Sequence, residues 1–175
     1  MNIYCLDESR FGLLSRLRSV LTSKGVKPVV SYQHRFENFY LFGAFAPSTG
    51  SSFLLELPSC TTAGFQLFLN LFSRQNPNEF KISILDKGAF HHSKAVVVPA
   101  NRALLFLPPY SPELNPAEKI GRHLKDALGN NLFKSLNELS DELQHLIQKL
   151  LLPEDISSLT AFDYYVNAFI TNFKL

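Results

Sequence analysis

Asp7, Asp86 and Glu118 are the side chains on which a chemistry can be built in this sequence. Asp7 closes the apolar run MNIYCLD and Asp86 closes FKISILD, and a carboxylate at the end of a buried strand is poorly solvated, a position that polar groups seldom occupy without a purpose. Three carboxylates brought to one point repel one another unless a cation neutralises them. An oxygen-only ligand set suits hard ions such as Mg²⁺ or Mn²⁺, which bind through a few carboxylates plus water and substrate phosphate. Two such ions roughly 3.5–4 Å apart activate a water or hydroxyl and stabilise the leaving oxygen in phosphoryl transfer. The cysteines and histidines show no zinc spacing, and there is no glycine-rich phosphate loop. Spacing alone does not bring the three acids together. A Glu three residues after an Asn is also what a capping box asks for, so both readings of Glu118 stand at this level.

The stretch that must position Glu118 runs from Ala103 to Lys125, ALLFLPPYSPELNPAEKIGRHLK. It opens as a short apolar strand, Ala103–Leu107, which Pro108-Pro109 stops because neither residue can donate to a sheet ladder. Tyr110 to Leu114 reads as a stiff turn, with Pro112 fixing φ and Ser111 pushed out of the helical region. Asn115-Pro116-Ala117-Glu118 then starts a helix, with Asn as N-cap, Pro at the first helical position and Glu in the first turn. Three prolines in five residues followed by a capped helix form a rigid bracket for one carboxylate.

Elsewhere the periodicities predict strands at Met1–Asp7, Val26–Tyr32, Phe39–Phe45, Phe53–Leu57 and Phe80–Asp86. The turn Pro47-Ser48-Thr49-Gly50 joins the third and fourth as a hairpin. Thr61–Phe72 reads as a helix, and a short helical turn from His91 leads to the strand at 103–107. Ser135 and Glu138 form a capping box for a helix with Leu139, Leu143 and Leu146 on one face, and a last helix spans roughly Glu154–Phe173; both stripes read as core. The order is that of an α/β mixed sheet. With 175 residues, a single domain, residues 1–175, is expected.

Composition sets the outer limits. Hydrophobic residues at 46% and charged residues at 18% describe a globular chain. Two cysteines, Cys5 within a strand and Cys60, argue against disulfides and for a reducing compartment. No apolar run approaches bilayer-spanning length and no basic leader precedes an apolar core, so a cytoplasmic protein with no membrane partner is expected. Net charge is only +2, but between Ser9 and Phe36 lie Arg10, Arg16, Arg18, Lys24, Lys27 and Arg35 with no acid. Such a basic stripe suits a polyanion, and on charge alone it equally suits a solvated loop. The abundance of Phe, sixteen against no Trp, suggests no function.

The chain resembles the catalytic domain of a DDE-type transposase, in the bacterial insertion-sequence branch of the mariner superfamily. The resemblance rests on Asp7-Glu8-Ser9-Arg10-Phe11-Gly12 at the first acid and on Leu85-Asp86 with Phe90-His91 at the second. At the third it rests on the long block Leu107-Pro108-Pro109-Tyr110-Ser111-Pro112-Glu113-Leu114-Asn115-Pro116 with Glu118, followed by Leu124-Lys125. It covers nearly the whole chain to about residue 128 and the C-terminal helices less distinctly.

The resemblance implies a ribonuclease H-like mixed sheet flanked by helices, with extra C-terminal helices. In that fold the first two acids lie on adjacent strands and the third on a later helix. It implies that Asp7, Asp86 and Glu118 hold two Mg²⁺ or Mn²⁺ ions, that transposon ends are cleaved, and that the freed 3′-hydroxyl attacks target DNA at a TA step. The DNA would meet Arg10, Arg16, Arg18, Lys24, Lys27, Lys87, Arg122 and Lys125, with His91 as an auxiliary residue near the metals. Glu8 and Glu113 are spare acids. Lys87 stands where the family often has Asn, and Gly121-Arg122 where many relatives carry an aromatic residue. Full-length relatives carry N-terminal helix-turn-helix modules, and this sequence opens on the first strand. A homodimer, or a partnership with a separate helix-turn-helix subunit, is therefore expected, with the protein at the nucleoid when bound to DNA. Two other readings compete: a catalytically inactive remnant serving as a DNA-binding or dimerisation partner, and a stand-alone nuclease on the same fold.

Overall fold

A computed structural model describes residues 1–15, 21–29, 31–165 and 167. Its frame is one five-stranded sheet built from β1 (Asn2–Gly12), β2 (Asn38–Phe45), β3 (Ser52–Leu57), β4 (Lys81–Leu85) and β5 (Arg102–Phe106), in the order β3-β2-β1-β4-β5. The helices are α1 (Thr62–Arg74), α2 (Ala117–Leu128), α3 (Leu136–Leu150) and α4 (Pro153–Thr160), with a single 3₁₀ turn at Pro112–Leu114. β1 pairs antiparallel with β2, and β2 with β3, whereas β1 pairs parallel with β4 and β4 with β5. Each parallel pair needs a crossover, and α1 supplies the one between β3 and β4.

Alternation along β1 assigns its side chains to two cores. Ile3 and Cys5 face one layer with Ile120 and Leu124 of α2 and Leu139 and Leu143 of α3. Tyr4 and Leu6 face the other, against Phe65, Phe68, Leu69 and Phe72 of α1. This second layer is rich in phenylalanine. Phe42, Phe53, Phe65, Phe68, Phe72 and Phe90 interlock with ring centroids 5.3–6.5 Å apart, an arrangement worth more than its buried area alone. At the far end of the parallel strands, buried Lys81 donates to the Asn76 carbonyl at 2.9 Å, and Arg102 lies 4.2 Å above the Phe72 ring.

The hairpin forms as expected, and its turn closes on Gly50, with φ of +67° and no room for a Cβ beside the Pro153 backbone. Ser135 caps α3 by accepting from Glu138 N–H at 3.2 Å, but the Glu138 carboxylate accepts from Lys134 N–H instead of returning to Ser135, so the capping box is half made. The α3 stripe is core, as expected.

Four expectations need correction. β1 does not stop at Asp7; residues Glu8 to Gly12 continue it because β2 pairs with them one for one. No strand forms among the described residues of 26–32, where Pro28 interrupts the run and Val26, Val29 and Tyr32 are exposed with no ladder partner. His91 begins no helix; it ends a tight turn in which its N–H donates to the Gly88 carbonyl. The last predicted helix is interrupted after Thr160 by Ala161 and Phe162 and is helical again at 163–165 and 167, while Val166, Phe169 and Phe173 lie outside the described residues. Among the described residues no helix is long and apolar enough to cross a membrane.

The contact that most directly sets the height of α2 over β1 is a glycine. A Cβ at Gly121 would overlap the hydroxyl of buried Ser9 and come within 3.8 Å of Asp7 Oδ2. Glycine inside a helix costs about 1 kcal/mol relative to alanine, and here the close approach is the compensation. Gly121→Ala is therefore expected to destabilise by about 1–3 kcal/mol, the usual cost of overpacking, despite its better propensity. The double variant Ser9→Ala/Gly121→Ala is expected to recover most of that loss. Denaturant unfolding of the two variants beside the parent checks both statements.

Candidate active site

The first two acids are neighbours by register. The β1–β4 ladder ends at Cys5 opposite Ile84, and Asp7 and Asp86 each follow two residues later. The period of two therefore leaves both on the side of the sheet that carries Cys5, Ile84 and α2, on strands about 4.8 Å apart. Leu107 N–H donates to the Leu85 carbonyl at 2.8 Å, prolonging β5 beside β4 until Pro108-Pro109 ends the pairing.

The proline bracket brings in the third acid. Tyr110 is fully exposed with φ of +58°, a strained value for a non-glycine residue, and the chain then reverses through the 3₁₀ turn. Asn115, 5% exposed, uses its side chain twice: Oδ1 accepts from Ala117 N–H at 3.2 Å, and Nδ2 donates to the Leu6 carbonyl at 2.7 Å. α2 starts at Ala117 with Pro116 at the cap position, one residue later than expected, and the Asn115 amide takes up the first free N–H and bolts the helix start to the residue before Asp7. The N–H of Asn115 donates to the Pro112 carbonyl at 2.9 Å, so the donor that a capping box would offer to Glu118 is already used. Tyr164 and Tyr165, beyond α4, donate their hydroxyls to the Leu114 carbonyl at 3.1 and 2.9 Å, holding the bracket from outside.

Asp7, Asp86 and Glu118 line one open cleft of about 450 Å³, walled by Lys87, Gly88, Leu107, the run from Pro108 to Pro112, and Asn115. Their charges sense one another. Burial, then the negative charges of Glu8 and Glu118, push the Asp7 carboxyl up to about 7, with Lys125 opposing. Burial raises Glu118 as well; Asp86 and Glu113 add to it, and Arg122 and Lys125 work against it. Asp86 goes the other way, held down chiefly by its hydrogen bond from His91. Among the described residues no three acid, His or Cys side chains are drawn to metal-binding spacing; the acids share the cleft without meeting at a point. Oxygen-only donors, two of them raised by burial and further by neighbouring carboxylates, fit a hard divalent cation, which would offset that negative charge.

His91 is buried between two carboxylates: Nδ1 lies 2.9 Å from Asp86 Oδ1 and Nε2 lies 3.1 Å from Glu8 Oε1. Burial alone would lower its pKa, and the two hydrogen-bonded carboxylates more than reverse that, raising it to about 9. Glu8 therefore has a partner on the α1 side of the sheet, a pairing that sequence reasoning missed although strand alternation places Glu8 opposite Asp7. Glu113 is exposed and does not line the cleft. Of the cationic residues, Lys87 lines the cleft and Arg122 is exposed on α2 beside Glu118. Arg10 and Lys125 line a separate pocket near the end of β1, with the Lys125 ammonium 5.5 Å from the centroid of the Phe11 ring. Lys24 and Lys27 are exposed in irregular chain, away from the cleft lining, and Arg16 and Arg18 lie outside the described residues.

These shifts have a definite sign. Asp7, raised from 3.8 to about 7, contributes stability that is complete below pH 3.8 and lost as the pH rises through 7. His91, raised from 6.5 to about 9, contributes stability complete below pH 6.5 and lost through 9. Asp86, lowered from 3.8, contributes above that value and loses its contribution only in stronger acid. Calorimetry in chelator is expected to show a melting temperature that falls in two stages between pH 4 and pH 9, with Asp7→Asn removing the first.

A family described as DDE superfamily endonuclease matches residues 2–140. An uncharacterised protein of Sinorhizobium fredii (strain NBRC 101917 / NGR234), y4pE/y4sA, is 37% identical over 102 residues, 57% of this chain and 76% of that protein. The Mos1 strand transfer complex superposes with a TM-score of 0.72 at 18% identity, over 99% of this chain and 55% of the other. The Mos1 mariner paired end complex with Mn does so at 0.69 and 19%, over 99% and 56%. The Mos1 transposase paired-end complex with the left transposon end gives 0.70 and 19%, over 91% and 51%. The chain thus spans about half the length of these solved chains, and at such identities the likeness establishes the ribonuclease H-like fold. The matched residues 2–140 include all three acids of the cleft, and the chain belongs to the DDE superfamily endonucleases.

Proposed function

We propose that residues 1–175 form a single DDE catalytic domain that cleaves transposon ends and joins the freed 3′-hydroxyl to target DNA. The observation that carries the reading is that Asp7, Asp86 and Glu118 line one open cleft, although 79 residues separate the first two acids and 32 the last two. These three carboxylates would hold Mg²⁺ or Mn²⁺. The chemistry that two such ions supply when bound is activation of a water or hydroxyl and stabilisation of the leaving oxygen. The rest falls to the chain itself. Asn115 and the proline bracket orient Glu118, Gly121 sets its height over Asp7, and Lys87 at the cleft and Arg122 beside Glu118 take up phosphate oxygens. The DNA and metal complexes of Mos1 named above support this reading by analogy of fold.

Within the same reading, the substrate is the element's end and a TA step in target DNA. The acting form is a homodimer, or an assembly with a helix-turn-helix subunit that reads the ends, in the cytoplasm at the nucleoid. The family resemblance supports these points.

Asp86→Asn retains an oxygen for the Gly88 N–H and the His91 ring, so the fold should stand while the charge is lost. Cleavage of duplex carrying the element's inverted repeats is expected to require Mg²⁺ or Mn²⁺. Asp86→Asn is expected to reduce it to the level seen in excess chelator, with a fall in melting temperature limited to the loss of the Asp86–His91 charge pair. Undiminished cleavage by the variant would exclude this site as the catalyst. Absence of cleavage by the intact chain together with tight DNA binding would favour the inactive-partner reading.

DNA binding through phosphates is blind to sequence and steep in salt. Affinity for random duplex is expected on the order of 10⁻⁴–10⁻⁶ M near physiological salt, with no preference for the inverted repeat. Lys87→Ala and Arg122→Ala are each expected to reduce the slope of log K against log salt by about 0.9. Titrations at several salt concentrations read both quantities.

A further inference from the structure

Asp86 is the most exposed of the three acids, its side chain 70% accessible, and no strand pairing reaches it. The β1–β4 ladder stops at Cys5 and Ile84, before either aspartate, so backbone hydrogen bonds alone do not fix how the two carboxylates stand to each other. A free aspartate at a strand end has several rotamers open to it. In this structure its Oδ1 is held from two sides, by Gly88 N–H at 3.0 Å and by His91 Nδ1 at 2.9 Å.

The His91 ring is itself fixed. Its side chain is 2% exposed and seated against Phe65 of α1 at 4.6 Å and Phe90 at 4.1 Å, centroid to centroid. Its far nitrogen, Nε2, meets Glu8 Oε1 at 3.1 Å. Glu8 adjoins Asp7 on β1 but points to the opposite face of the sheet, so the path Glu8–His91–Asp86 runs from the strand of the first acid to the second acid. Gly88 leaves the room it needs: a Cβ there would stand 3.0 Å from His91 Nδ1 and 3.2 Å from Asp86 Oδ1.

We propose that Glu8 and His91 are positioning residues that form a side-chain strut, setting the orientation of Asp86 relative to Asp7 and leaving its second oxygen to face the cleft. This rests on the reading of Asp86 as a metal-holding residue. Glu8 accordingly holds no metal itself; it fixes the ring that fixes the ligand. Partners of this kind, when removed, typically cost 10–100-fold in metal affinity or activity.

The test uses the full chain with Glu8→Ala, His91→Ala, their double variant, and Glu8→Gln, which keeps an acceptor oxygen for the ring. In metal-free protein the Asp86 side chain is read directly, by three-bond couplings or an apo crystal structure. A single rotamer is expected in the parent, rotamer averaging in Glu8→Ala and His91→Ala, and restoration in Glu8→Gln. Mn²⁺ titration is expected to show about 10–100-fold weaker binding in either alanine variant and no further loss in the double variant, since both act on one path. A merely structural pair would lower the melting temperature and leave Mn²⁺ affinity and the Asp86 rotamer unchanged, and that result would overturn the proposal. So would losses that multiply in the double variant. Rotamer averaging in the alanine variants of a chain whose parent form binds no Mn²⁺ would uphold the strut and sink the metal reading instead.

Discussion

The hydrogen bond from Asn115 Nδ2 to the Leu6 carbonyl, 2.7 Å long and buried, is the constraint on which the cleft depends. It joins the start of α2 to the strand residue just before Asp7, across a separation of 109 residues. Leaving either group unpaired in that environment would cost about 1–3 kcal/mol. That penalty favours arrangements in which α2 begins over β1 at this height. The same amide caps α2 through Ala117 N–H, so helix initiation and docking are a single event. Gly121 one turn later and the hydroxyls of Tyr164 and Tyr165 on the Leu114 carbonyl remove the remaining freedom. Tyr164 and Tyr165 thereby contribute to the site without lining the cleft.

This rigidity holds groups that would otherwise move apart. Asp7 is pushed up to about 7 by burial and by neighbouring acids, and Glu118 is raised for related reasons, so the cleft stores electrostatic repulsion that the fold withstands. Arg122 and Lys125 offset part of it. Asp86 differs, because His91 keeps it ionised. Two acids of raised affinity for protons beside one of lowered affinity make a site ready to exchange protons for a cation.

The sheet separates these roles by its own geometry. Asp7 and Glu8 are adjacent in sequence and opposite in space, because successive strand residues face opposite ways. One looks toward α2 and the cleft, the other toward α1 and His91. The aromatic layer on the α1 side is therefore more than filling: Phe65 and Phe90 seat the ring that holds Asp86. Gly88 and Gly121 mark places where the chain comes close to itself around the acids.

Much of this was legible in the sequence, where local rules decide it. The proline bracket, the Asn115 helix start, the hairpin turn and the apolar stripes of α1 and α3 follow from backbone sterics, capping and periodicity, all of which act over a few residues. The three acids could be named because strand ends and a capped helix are local features and because their motifs resemble a family. Other features were decided only by tertiary structure, because they depend on what lies alongside. β1 runs on through polar Glu8 to Gly12 since β2 pairs with it, whereas the described residues of 26–32 form no strand because none of them has a ladder partner. Nothing local in Glu8, Gly88 or His91 announces that they meet at Asp86; 83 residues separate Glu8 from His91, and only the closed sheet places them within a hydrogen bond. The sequence alone determined which acids stand at the site and how each is locally held. The distances among them are a property of register, close packing at glycine and one buried amide, which exist only once the chain is folded.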